Sequence, residues 1–596
     1  MPDVTVTVIG AGISGSLTGL KSAKKYKVRI PEAGKKVLPV ASSSHNECYK
    51  LHTGAHFLGD LATAKHCLQR SVVFAREFPN FLVSDDLSSP WRRGRHYIMS
   101  NSLVPVERTK AIVLQLQADY AQLVAEDERN KVFGESEDFI KFLSKEDYPY
   151  IADTIPFYDM NGVKTDAHVV LGIETAESQI DIDKLQAYVQ QQIEENPNIT
   201  FMPSQEVTRI VHDPSALGYL VTTKDEDGIE QTFKTRTIVN CAWQNIETLN
   251  NTLGLPKPDD ERVVRIKVSV LIELPESLRN MNTCLFSSGP YASITVLPNG
   301  TAVLTSERWT NAGSFKAGVP IPAPIKELLD NLTLETTVGQ DIAKNILFDC
   351  ASYVNEGIRA ELEASPIKEL RVGFVKIRGS YTTQQSIYQA NSCIHARLED
   401  GVEELETGFI VNAAMKMTYA ASNATIVNEL LDKHMELLDK MDLLIACTKK
   451  SLYSTYPYLR PLSELVDFYI YTICRSLIED KVRSLAYERD AKQCINELAE
   501  TILKKMTVFI LRRYDGFFSK FCTVLNNLVE DKIASLPLVQ EQIRCPIELS
   551  MGSVQKSNLL LERALKRRRC SFFSEDRLVY SSSENSVEDT PIPSPV

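Results

Sequence analysis

The chain has no apolar run of membrane-spanning length; even LVDFYIYTICRSLI is broken by Asp467 and Arg475. It lacks a basic excess. With 66 Lys+Arg against 77 Asp+Glu, the net charge of −11 argues against generic nucleic-acid binding, which needs a basic face. Its 12 cysteines never fall in a C-x-x-C pair, and its 9 histidines show no ligand spacing. Buried reduced thiols and no metal are therefore expected. No charged segment precedes an apolar one at the start, so no secretory signal is expected. The expected setting is cytoplasmic, with export lacking a signal peptide as the alternative. No internal repeat occurs.

What is present begins at residue 4, in VTVIGAGISGSLTGL. Val4, Val6, Val8 and Ile9 form the short apolar run of a buried parallel strand. Gly10 permits a tight turn, Gly12 leaves room for a close ligand, and Gly15 lets helix and strand pack. Leu17, Leu20 and Ala23 then continue as a helix, whose N-terminal amides suit a pyrophosphate. KVRIPEAG supplies a second strand ending at Glu32, where an acidic residue grips the ribose hydroxyls of an adenine nucleotide and repels a 2′-phosphate. Pro31 cannot donate to a sheet ladder, so it is expected at the strand end.

At 596 residues the chain is too long for one core, and about three to four domains are expected. VVRIKVSVLIEL (263–274), YASITVLP and TAVLTS look like neighbours in one antiparallel sheet. From about residue 436 the texture changes. Glycine almost disappears, and Leu498, Ile502, Met506 and Phe509 recur at helical spacing. RALKRRRCSFF is a short basic patch that is either solvated or a contact for a membrane surface, nucleic acid or partner, and Arg568-Arg569-Cys570-Ser571 resembles a kinase site. The acidic, proline-ended tail has the composition of disorder.

Several blocks, in order, resemble the D-amino-acid-oxidase-like superfamily of FAD-dependent oxidoreductases, nearest to its L-2-hydroxyglutarate dehydrogenase branch. They are ASSSHNECYKLHTGAHFLGD (41–60), ESQIDIDKLQAYVQQQI with ITFMPSQEVTRI (177–210), TIVNCAWQNIETLN (237–250), FVKIRGSY (374–381) and GFIVNAAMKMTYAASNATIVNELL (408–431). The resemblance implies an α/β fold: a Rossmann-type FAD-binding domain, an inserted mixed α+β substrate domain and an all-α C-terminal domain. The implied FAD-binding parts are 1–90, 176–255 and 371–435. The implied substrate-domain parts are 91–175 and 256–370. A helical domain over 436–551 and a tail over 552–596 complete the chain.

The resemblance implies FAD held by Gly10, Ala11, Gly12, Ile13, Ser14, Gly15, Glu32, Ala33, Ser43, Val207, Ala242, Lys416 and Met417. His52 is the first candidate base, since a near-neutral imidazole can take an alcohol or amine proton during hydride transfer. His56, on the same side of a segment expected to be extended, is second. Either could instead only bind backbone. Arg378 could pair with a substrate carboxylate or form a surface ion pair. Lys416 could stabilise a reduced flavin or simply be solvated. Departures from the family are Trp243 where a small residue is usual, Glu-Cys-Tyr-Lys at 47–50, and AAMKMT in the closing block. The implied activity is hydride removal from a small amino acid or 2-hydroxy acid, with the electron acceptor open and the helices a possible protein contact. The rival is a flavin-binding scaffold or effector whose function lies in those helices.

Overall fold

Five short strands lie parallel in the order Phe409–Asn412, Thr237–Asn240, Val6–Ile9, Val28–Pro31 and Ile199–Met202, and Val402–Glu406 adds an antiparallel edge. The computed structural model describes residues 6–39, 42–46, 50–84, 86–89, 92–159, 161–213, 215–255, 262–378, 401–414, 416–455 and 471. Val6, Thr7, Val8 and Ile9 are all buried, as a strand covered on both faces requires. The chain leaves this strand toward Val28–Pro31 on one side, while Thr237–Asn240 flanks it on the other. That divergence is a topological switch point, which opens a crevice at the strands' carboxyl ends. Pro31 is the last residue of its strand, so its missing donor costs no central ladder bond.

Helices close the sheet faces. Helix Ile182–Glu194 starts at Asp181, whose side chain accepts from Lys184 N, and buries Ile182, Leu185, Val189 and Ile193 at helical spacing. Helix Leu61–Glu77 starts likewise at Asp60, which accepts from Ala62 N and Thr63 N. These helices share one core with Ile13–Ser22 and the start of helix Ala420–Thr455.

A nine-stranded mixed sheet supplies the second layer. Its strands Arg262–Glu273, Thr301–Ser306 and Ala292–Val296 are successive antiparallel neighbours, as the sequence pattern suggests. The earlier strand Gly94–Met99 joins the same sheet, parallel to Thr283–Ser287. One face packs on helix Thr337–Ala351 through Ile266, Val268 and Val270. Arg265, Lys267 and Ser269 alternate with these residues and so project from the opposite face.

The chain divides into two compact units, Met1–Leu444 and Ile445–Val596. Of the expected helical region, 436–455 is helical as the end of helix Ala420–Thr455. The rest, apart from Tyr471, and the 552–596 tail lie outside the described residues. No helix among the described residues is long and apolar enough to cross a membrane, and no cluster of three or more His, Cys, Asp or Glu there could hold a metal.

Candidate functional site

The Gly-rich turn is shaped by two different glycine constraints. Gly10 has a φ of +90°, a conformation that a side chain would strain. A Cβ on Gly15 would lie 1.9 Å from Gly10 O, so only glycine lets the helix sit this close to the strand. Gly12 differs: a Cβ there meets nothing within 4 Å, because it would point into open cavity. The Glu32 carboxylate braces the turn from the next strand. It accepts from Ala11 N at 2.6 Å and from Gly34 N at 2.7 Å. Burial pushes its carboxyl pKa up, against the pull of those two amides.

A cavity of about 530 Å³ runs from this turn to the face of the nine-stranded sheet. Gly10, Gly12, Ile13, Ser14, Glu32 and Ala33 line one end, and Val207 and Ala242 also face it. Ser43, His52, His56, Lys416 and Met417 line it further on. Ala11 and Gly15 are not in the wall. Ala11 is fully buried with its amide turned to Glu32, and Gly15 is filled against Gly10, so both shape the turn from behind.

His52 Nδ1 lies 2.7 Å from Glu177 Oε1. Glu177 is 3% exposed, and its other oxygen is 3.3 Å from His96 Nε2. Burial raises the Glu177 carboxyl, but the two imidazoles outweigh it and hold the group well below the usual carboxylate range. Burial, with the Lys416 ammonium, pushes His52 down despite Glu177. The resulting pair is an ionised carboxylate accepting from a neutral imidazole, which leaves Nε2 as the basic nitrogen. Ser71 Oγ donates to His52 O and fixes the backbone beneath it.

The segment between the two histidines is not extended. Gly54, at φ +100°, turns the chain, and that turn rather than strand alternation brings the rings within 4.7 Å. Burial and then His52 hold His56 well below its ordinary value, and its Nδ1 has no hydrogen-bond partner among the described residues. Lys416 lies just before the helical turn Met417–Tyr419, with its ammonium 5.0 Å from the centre of the Phe57 ring. Arg378 ends strand Ile367–Arg378 with its backbone paired to Arg262, and its side chain lies outside the described residues.

Trp243 reshapes the return loop. Its φ of +46° is left-handed, a strain of roughly 1–2 kcal/mol for a residue with a Cβ. The indole Nε1 donates to Phe374 O at 2.8 Å, and Lys376 Nζ donates to Trp243 O at 2.9 Å. Lys376 is itself buried and paired with both Glu247 oxygens, at 2.6 and 2.8 Å. Trp243 still lines the cavity, with its ring tethered to the wall.

No family model and no curated protein matches this chain. Solved structures do. Glycine oxidase from Geobacillus kaustophilus is similar over 73% of this chain and 95% of that one, at 14% identity and a TM-score of 0.45. L-alpha-glycerophosphate oxidase from Mycoplasma pneumoniae, solved with FAD bound, is similar over 72% of this chain and 95% of that one, at 16% identity and a TM-score of 0.43. L-proline dehydrogenase from P. horikoshii is similar over 73% and 94%, at 14% identity and a TM-score of 0.44.

Glu177, His96, Lys50 and Lys376 were not singled out by sequence reasoning. Glu177 opens a quoted block, but its partner His52 is 125 residues away, and no local spacing links them.

Proposed function

We propose that this chain is an FAD-dependent oxidoreductase that removes hydride from a small amino acid or 2-hydroxy acid. The observation that carries the reading is the pairing of two features in one cavity: an open Gly12–Glu32 cradle and His52 held 2.7 Å from the buried Glu177 carboxylate. The cradle fits a dinucleotide. Gly10, Gly12, Ile13 and Ser14 would face the pyrophosphate at a helix N-terminus, and Glu32 has lone pairs left for ribose hydroxyls. Ala33 and Val207 suit the adenosine side, with Ser43, Ala242, Lys416 and Met417 along the ring system.

An isoalloxazine held there would supply the hydride acceptor. The chain's own contribution is the matching proton. His52 Nε2 takes it from the substrate O–H or N–H as the carbon becomes C=O or C=N, while Nδ1–H stays on Glu177. The partly positive imidazole that develops is stabilised by the carboxylate beneath it. The substrate class is the one implied by the resemblance to the D-amino-acid-oxidase-like superfamily. The region from 436 onward is read as a fused interaction module. The test is anaerobic reduction of the purified protein's flavin bands by a panel of amino and 2-hydroxy acids. Bleaching by at least one of them is expected, and no bleaching by any would overturn the reading.

A further inference from the structure

Two lysines are buried beside this cavity, and they are satisfied very differently. Lys376, 3% exposed, has both oxygens of Glu247 and a backbone carbonyl around its ammonium. Lys50, 5% exposed, lines the cavity with one hydrogen bond, to Ser293 Oγ at 3.2 Å, and no carboxylate within ion-pair distance among the described residues. An ammonium carries three donors. Taking a lone charge out of water is costly, and buried charges are normally paired or bound to a ligand. Among the described residues, Lys50 thus has spare donors and no paired carboxylate, on the wall of a cavity that also holds a basic imidazole.

We propose that Lys50 and Ser293 form the subsite that binds the substrate's carboxylate. The Lys50 ammonium supplies the counter-charge and Ser293 Oγ a hydrogen bond beside it. The sheet face around them indicates the rest of the molecule. Ser293 is paired across strands with Thr305, and Ser287, whose Oγ lies 3.4 Å from His96 Nδ1, also faces the cavity, so this stretch of wall is polar. Arg265 and Lys267 on the same wall lie within ion-pair distance of Glu307, at 3.3 and 3.6 Å. The substrate that fits is a short acid with a polar body. The proposal rests on the oxidoreductase reading for its chemistry but not for its binding.

The test is calorimetric titration of the purified full-length protein with pyruvate, a 2-oxo acid that cannot donate hydride, alongside its visible spectrum. Wild type is expected to bind pyruvate. Lys50→Met should weaken binding at least tenfold, Lys50→Arg should keep it within about threefold, and Ser293→Ala should weaken it a few-fold, all without changing flavin content. Colourless protein that binds pyruvate through Lys50 leaves the subsite standing and removes the flavin reading. Yellow protein in which Lys50→Met binds pyruvate like wild type removes the subsite and leaves the flavin reading. Binding lost in Arg378→Gln but kept in Lys50→Met gives the carboxylate to Arg378 and overturns the proposal. So does wild-type protein that binds inorganic phosphate but no 2-oxo acid. If Lys50→Met does not fold, Ser293→Ala decides the matter by the same titration.

Discussion

At one end of the cavity the wall is mostly backbone; at the other it is side chains from distant parts of the chain. The Gly10–Gly15 turn and Glu32 form one continuous unit of strand, turn, helix and strand, and Glu32 spends both carboxylate oxygens holding that unit's amides. The reactive end is assembled from Lys50, His52 and His56 on one loop, Glu177 after a sheet strand, Ser293 within a later strand, and Lys416 before the helical turn Met417–Tyr419. A site made of backbone tolerates few changes in local sequence but is indifferent to distant ones. A site made of scattered charges depends on how well buried groups compensate each other, since a missing partner leaves an unpaired charge.

The sharpest way to break the comparison is at the turn itself. Gly12→Val should leave a folded, soluble protein that carries no FAD, because the new side chain enters open cavity and collides only with the cofactor. Gly15→Val should instead fail to fold, since its Cβ would overlap Gly10 O. Released flavin and thermal melts separate the two; equal FAD loading in Gly12→Val would contradict the cradle.

At the reactive end the effects fall on rate and leave loading intact. His52→Ala is expected to slow anaerobic flavin reduction about a hundredfold or more, the usual contribution of a positioned base, with flavin content unchanged. Stopped-flow traces at saturating substrate check this.

Glu177→Gln should slow the same step roughly tenfold or more, because the imidazole loses its orienting carboxylate. It should also move the pH profile. His52 must be neutral to accept a proton, so the rate falls as pH drops through its pKa, which lies below the ordinary 6.5. The Glu177 charge pulls that pKa up, so removing it should shift the acid limb to lower pH. A slower enzyme with an unmoved limb would make Glu177 merely structural.

The smallest effect is expected at Glu32. Glu32→Ala should weaken FAD retention several-fold, while the turn, still held by its glycines, survives. Retention equal to wild type would mean that the ribose is held elsewhere.

The same contrast explains how much of the molecule was legible in its sequence. The first strand, the turn and the strand ending at Glu32 were readable because sterics tie each residue type to a local backbone shape. Strands Arg262–Glu273, Ala292–Val296 and Thr301–Ser306 were readable from their β-branched runs. The segment between His52 and His56 reads as extended in sequence, because nothing in its local pattern marks Gly54 as the left-handed position that turns it. Glu177 carried no local signal: an acidic residue beside Ser and Gln looks like any surface loop until the fold buries it against His52 and His96. Lys50 stood in a stretch noticed only for departing from a family pattern, and its burial could not be read from sequence. Trp243 was flagged as a departure, and its tether to Phe374 and Lys376 depends on a strand more than 130 residues away.

The central claim is that one cavity holds a dinucleotide cradle and a proton acceptor together. It is tested most directly by denaturing the purified full-length protein and measuring what it releases. A yellow protein that gives up one FAD per chain is expected. A colourless protein that releases no adenine nucleotide would contradict it.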